Sequence, residues 1–245
     1  MSRPPQKFSV LGIPVHILED YLGWLTCREN QGCHIVTLNA EMTMQAENDS
    51  ALAKVISQAD LVIPDGAGIV LYLRFRGEKV DRCPGIELAE SLLIAAGKIE
   101  NSWSVFLYGG MPGIAATAAA SWQQKIPGLN IVGTENGYIS TTELEKLQET
   151  LHNLQPNLIL VGLGVPRQEF WIAENRHLCP QAIWMGIGGS MDIWAGNKLR
   201  APAWFCDNHL EWLYRLYQEP WRWRRMLVLP KFVWRTLIYS FGQKH

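Results

Sequence analysis

A chain of 245 residues with 48% apolar and 18% charged residues can build a sizeable core, which excludes a disordered chain and sets a scale of one large domain, with or without an appendage. Its formal net charge of −1 gives no chain-wide attraction for nucleic acid or membrane. Five cysteines, Cys27, Cys33, Cys83, Cys179 and Cys206, contain no C-x-x-C pair, so a disulfide framework and a thiolate zinc site are excluded and a reducing cytosol is expected.

The opening stretch, Met1-Ser-Arg-Pro-Pro-Gln-Lys7, has no apolar run of signal-peptide type, and no later run reaches the ~18 apolar residues of a membrane span. A cytoplasmic protein, in solution or held at a membrane surface, is the expectation. The first strand-like run is 34–38 (His-Ile-Val-Thr-Leu), followed by helical periodicity over 41–58. A second run at 60–63 ends abruptly in Pro64, Asp65 and two nearby glycines. Then come a helix at 86–98, a strand at 103–108, a helix at 111–125, a strand at 129–132 and a helix at 141–153. Strands at 157–163 and 181–187 flank a helix at 168–177. This alternation predicts right-handed crossovers and a doubly wound α/β fold, its mainly parallel sheet covered by helices on both faces. Several runs are continuously apolar, as strands buried on both sides should be. Residues 1–195 are assigned to this domain.

Residues 196–245 read as a basic helical appendage. Nine basic residues stand there against three acids, a net +6 within a chain of −1. Leu210, Leu213, Tyr214 and Tyr217 follow i, i+3, i+4, i+7, an amphipathic helix. Pro220 can open a second helix carrying Trp221-Arg-Trp-Arg-Arg225, and Pro230 should end or bend it. Six of the eleven tryptophans fall between 194 and 234. Tryptophan interleaved with arginine suits a membrane interface with anionic headgroups, and equally a helix packed on the core with its arginines in water.

The strand ends carry the chemistry. Five turns follow them: Thr37-Leu-Asn-Ala-Glu41, Pro64-Asp-Gly-Ala-Gly68, Tyr108-Gly-Gly-Met-Pro-Gly113, Gly162-Leu-Gly-Val-Pro-Arg-Gln-Glu169 and Gly186-Ile-Gly-Gly-Ser-Met-Asp192. In a parallel sheet all of them lie along one edge and converge on one crevice. Asp65 admits two readings there, a helix N-cap or a reactive acid at a strand's carboxyl end. The amides of Gly109-Gly110 and Gly188-Gly189 can cradle a diphosphate, or simply make tight turns. No H-x-x-x-H, H-x-H or D-x-D appears, so no metal site and no cofactor is predicted. Arginines and backbone amides are left to neutralise a diphosphate, with Arg82, Arg167, Arg215, Arg222 and Arg225 as candidates.

With these motifs laid out, the sequence resembles the WecG/TagA/CpsF family of glycosyltransferases. The likeness runs from about Ile35 to Trp234 and also rests on Arg82-Cys-Pro-Gly-Ile-Glu87, Pro127-Gly-Leu-Asn-Ile-Val-Gly133, Arg200-Ala-Pro202 and Glu211-Trp-Leu-Tyr-Arg-Leu216. The resemblance implies an inverting, metal-independent transfer of an N-acetylmannosamine-type sugar from a UDP-sugar donor to a polyprenyl-diphosphate-linked sugar acceptor at the cytoplasmic face of the membrane. It implies Asp65 as general base and Thr37, Asn39, Arg82 and Gln168 as pocket residues. It further implies that Arg215, Arg222 and Arg225 of the appendage close over the donor at the membrane. The chain departs from the family pattern at Leu38, Ala40, Met111, Val165 and Met191, and the loss of a lysine at Met111 bears on diphosphate contact and donor choice. From another class, a non-catalytic nucleotide-binding or membrane-surface module uses the same crevice and tail. A nicotinamide oxidoreductase lacks its glycine fingerprint. The sequence leaves open whether the chain works alone or as a homo-oligomer.

Overall fold

The computed structural model describes residues 4–28, 30–98 and 103–242. In chain order the elements are β1 (Gln6–Val10), β2 (Ile13–Ile17), α1 (Tyr21–Thr26), β3 (Cys33–Leu38), α2 (Ala40–Asn48), α3 (Ser50–Ser57), β4 (Leu61–Pro64), α4 (Ala67–Phe75), α5 (Gly85–Ala96), β5 (Ser104–Gly109) and α6 (Ile114–Lys125). They continue with β6 (Asn130–Glu135), α7 (Thr141–Leu154), β7 (Leu158–Gly162), α8 (Arg167–Asn175), β8 (Ile183–Gly186) and α9 (Ser190–Trp194). The C-terminal helices are α10 (Ala203–Asp207), α11 (Glu211–Gln218), α12 (Trp223–Met226) and α13 (Val228–Gly242).

Six strands form one sheet in the order β4-β3-β8-β7-β5-β6, every pair parallel. Alternate residues of each strand face opposite layers, as the two-residue period requires. Ile35, Ile63, Leu107, Leu160 and Met185 pack with α1, α5, α6 and α9. On the other face, Val36, Leu38 and Val62 meet α2, α3 and α4. Phe106, Ile159, Val161 and Trp184 meet α7 and α8 on that same face. The sheet is therefore doubly wound, as the alternation predicts.

The structure differs from the sequence reading in four places. The amino-terminal hairpin β1–β2 is an added element that flanks the β4 edge, where the Val62 amide donates to His16 Nδ1 at 2.8 Å. The periodicity over 41–58 is two helices, because the Asp49 carboxylate accepts from the Ala51 and Leu52 amides and starts α3 afresh. Helix α4 was not read at all. The helix that carries Arg224 and Arg225 does end ahead of Pro230, at Met226, but the proline itself is the third residue of a further helix, α13, inside the first turn, where its missing N–H has no intrahelical acceptor to serve.

Candidate active site

Leu38 and Pro64 are partners in the β3–β4 register, so the residues that follow them emerge together. The amides of Asp65 and Gly66 both donate to the Leu38 carbonyl, at 3.0 and 3.1 Å. Residue 66 must be small: a Cβ there would sit 2.7 Å from Asn39 Cβ. Asn39 uses its Oδ1 to cap α2 through the Met42 amide at 2.9 Å.

Asp65 is both a cap and an exposed acid. Its Oδ1 accepts from the Gly85 amide at 2.8 Å, at the first turn of α5. The capped helix is thus not α4, the next in sequence, whose own cap position is Gly66. Arg82 Nη2 lies 3.9 Å from the same oxygen, while Oδ2 takes no hydrogen bond from the described residues. A quarter of the side chain, 25%, remains exposed. Burial raises the Asp65 carboxyl above its ordinary range, and Arg82, the Gly85 amide and Arg215 oppose that rise without cancelling it.

Arg82 fastens this corner to the C-terminal helices. Its Nε donates to the Asp65 carbonyl at 2.5 Å and its Nη2 pairs with Glu211 at 2.7 Å. Glu211 pairs on its other oxygen with Arg215 at 2.6 Å. Burial pushes the Glu211 carboxyl up, but Arg215 and Arg82 together outweigh it and hold that acid below its usual range. Glu211, counted in the sequence only as a charge and part of a motif, is the link between crevice and tail. Its place four residues before Arg215 was the available signal.

The opposite wall comes from the ends of β7 and β8. Gln168 is 1% exposed, and its Oε1 accepts from the amides of Gly164 and Gly188 at 3.2 and 3.0 Å. Its Nε2 donates to Glu169 Oε1 at 2.9 Å. Gln168 therefore fixes two loops to each other and has little left to offer a ligand. Thr37 reaches across the switch between β3 and β8, its hydroxyl donating to the Gly186 carbonyl at 3.4 Å.

These walls enclose a crevice of about 330 Å³ over the ends of β4, β3, β8 and β7. Helices leave β3 and β8 toward opposite faces of the sheet, which is where an open α/β sheet parts to take a ligand. Thr37, Asn39, Asp65, Arg82, Gln168, Gly188, Gly189, Arg215 and Arg225 all line it. Lys198, paired with Glu219, and Arg200, paired with Glu87, stand at its rim. Gly109 and Gly110 are not brought to it, because β5 lies beyond β7. Gly109 has φ +136° and packs so closely on Gly162 that a Cβ would strike the Gly162 carbonyl oxygen. The Gly110 amide itself donates to that oxygen at 3.1 Å, which is tight-turn geometry. Arg167 also stays outside, with Nη2 on the Gly137 carbonyl at 3.3 Å. The Arg222 side chain lies outside the described residues.

Among the described residues, no group of three or more His, Cys, Asp or Glu side chains has the arrangement of a metal site. No described helix is long and apolar enough to cross a membrane.

Comparison with known proteins agrees with this geometry. Residues 8–245 match the sequence model of the glycosyl transferase WecG/TagA/CpsF family. The chain is 38% identical over 210 residues to an N-acetylglucosaminyldiphosphoundecaprenol N-acetyl-β-D-mannosaminyltransferase of Bacillus spizizenii, covering 85% of this chain and 80% of the relative. It is 35% identical over 219 residues to the protein of the same name from Bacillus subtilis, covering 89% and 84%. With its strand-end acid, its glycine turns at β8 and its arginine tail all in the matched span, the chain belongs to the WecG/TagA/CpsF family of glycosyltransferases.

Proposed function

We propose that this chain transfers an N-acetylmannosamine-type sugar from a UDP-sugar to a polyprenyl-diphosphate-linked sugar, with inversion at the anomeric carbon. The observation that carries the reading is Asp65: a carboxylate with one oxygen anchored and the other unpartnered, on the wall of a crevice ringed by Arg82, Arg215 and Arg225. The Asp65 carboxylate takes the proton of the acceptor hydroxyl as that oxygen forms its bond to the anomeric carbon. The bond from that carbon to the diphosphate breaks, and UDP leaves with the electron pair. A base of raised proton affinity suits this task better than an ordinary aspartate. Charge developing on the departing diphosphate is met by guanidinium groups, which donate in pairs to phosphate oxygens. No metal is assigned a part in these steps.

The acceptor is lipid-linked in the Bacillus relatives, as their names state. The C-terminal helices suit such a substrate, since Trp221, Trp223 and Trp234 are exposed beside basic residues. We place the protein at the cytoplasmic face of a membrane, held by that surface.

Asp65→Asn should lower kcat by about 10²- to 10⁴-fold, the range of general-base loss, with donor binding kept. UDP release in the presence of a lipid-diphosphate acceptor measures the first, and titration calorimetry with the donor the second. Near-normal turnover in this variant overturns Asp65 as base. Donor binding by the native protein without any acceptor-dependent UDP release makes it a binding module instead.

A further inference from the structure

A second, smaller cavity of about 150 Å³ adjoins the crevice, and the two share Asn39, Glu41, Asp65, Arg82, Glu211 and Arg215 as walls. Their other walls differ in chemistry. The larger is bounded by the β8 glycine turn and by Lys198 and Arg200, a setting for a diphosphate. The smaller is closed by Trp212, Met226 and Leu229 of the C-terminal helices, by the start of α4, and by His209.

His209 is an anomaly at that spot. The Leu210 amide donates to the Phe205 carbonyl at 2.7 Å and the His209 amide to the Cys206 carbonyl at 3.1 Å. That pair of bonds closes α10 as a Schellman motif, whose left-handed position is the preserve of glycine. His209 occupies it with φ +60°. A residue other than glycine is uncommon there, and left-handed residues of this kind concentrate at functional sites. Its Nδ1 is buried and has no hydrogen-bond partner among the described residues. A buried imidazole nitrogen without a partner is uncommon in a native fold, and His209 lines the smaller cavity.

We propose that the smaller cavity holds the terminal sugar of the acceptor and that His209 hydrogen-bonds one of its hydroxyl or N-acetyl groups. A pyranose matches these walls, because its C–H face packs on an indole while its edge exchanges hydrogen bonds with Asn39, Asp65 and His209. Asp65 then stands between the two cavities, facing the acceptor hydroxyl on one side and the donor carbon on the other. The assignment rests on the transferase reading above and specifies its acceptor subsite.

His209→Gly separates architecture from binding, since glycine is the better residue for the turn. The probe is a short-chain, water-soluble polyprenyl-diphosphate-linked N-acetylglucosamine, titrated calorimetrically and used as acceptor in turnover. The variant should melt no lower than the native protein, bind donor unchanged and bind the probe about tenfold more weakly. His209→Asn, which tolerates the same backbone and keeps a polar group, should recover most of that loss. Probe binding unchanged within twofold in His209→Gly, or no binding of the probe by the native protein, overturns the assignment. Probe binding that depends on His209 without transfer supports it, while defeating the transferase reading on which it was built.

Discussion

The body and the C-terminal helices settle their apolar residues in opposite ways. In the body, each sheet strand sends alternate side chains into one layer or the other, and residues such as Ile35, Leu107 and Leu160 have no exposed surface. In the C-terminal helices Trp204, Tyr217, Trp221 and Trp234 lie more than half exposed, and Phe232 is the one buried aromatic side chain among the described residues there. Phe232 packs against Gly68 and the α2–α4 layer. Leu229 packs beside it, and ion pairs add to the attachment: Arg82–Glu211, Lys198–Glu219 at 3.0 Å, Arg225–Glu41 at 3.2 Å and Arg235–Glu47. Arg82–Glu211 is largely buried, but the exposed pairs contribute ~0–1 kcal/mol each, whereas burial of a phenylalanine contributes ~1.5–3 kcal/mol. The difference shows where the rigid part of the site ends. The body presents the acid and the glycine turns; the tail supplies arginines and two cavity walls through a weaker attachment.

The sharpest break of that comparison is removal of everything after Pro202. The truncated chain should fold, since its three core clusters lose only Phe232 and the partly buried Leu229. Transfer should fall about 10³-fold, the scale for losing groups that stabilise a leaving anion. Liposome co-sedimentation should fall with it, because the apolar wedge and the basic patch leave together. Circular dichroism of the truncate checks folding, and full transfer to a lipid-linked acceptor would show that the tail contributes nothing to the site.

A milder break is Phe232→Ala. Loss of a buried phenylalanine costs ~3–5 kcal/mol where the surroundings stay in place. Here the cost should appear as undocking of α13, with little effect on the sheet. Limited proteolysis should cut within α11–α13 while the body persists, and transfer should drop about tenfold as Arg215 and Arg225 lose their placement. Resistance equal to that of the native chain would mean that the ion pairs alone seat the tail.

Much of the sheet is legible in the sequence. All six sheet strands are legible to within three residues, because buried parallel strands are short apolar runs bounded by glycine and proline. The hairpin was not read. Its strands are only five residues each, and Pro14 within the second argues against a strand. The turn Leu11-Gly12 between two alternating runs was the signal. Helix α4 was missed because it follows Asp65 and two glycines, a stretch that reads as a loop. Topology points to the turns that follow the strands, while Thr37, Asn39, Arg82 and Gln168 come as pocket residues from the family resemblance. Glu211 and His209 come from the tail, and no local pattern says which part of the sheet a distant helix will meet. The glycines at 109 and 110 show the converse error. A strand-end motif joins the crevice only if its strand sits next to the switch, and strand order is not written in the sequence.

The smallest test concerns charge in the body, where the tail's arrangement is reversed. Tail charges are mostly exposed and paired, whereas Glu169 is 1% exposed and its Oε2 has no partner among the described residues. Burial pushes its carboxyl up to about 7, against the opposing hydrogen bond from Gln168. In the unfolded chain a glutamate titrates near ~4.3. Between those values the native state holds the extra proton, so this residue's contribution is full below the lower value and is lost as pH rises through the upper one. Glu169→Gln should therefore leave stability at pH 4 nearly unchanged and raise it at pH 8 by roughly 3–4 kcal/mol. Urea denaturation of both proteins at the two pH values measures the difference between them, which cancels the slopes of other groups such as Asp65. A variant that gains nothing at pH 8 would show that the carboxylate is solvated or fully paired in the folded protein, and this buried acid would then cost no more than the surface pairs of the tail.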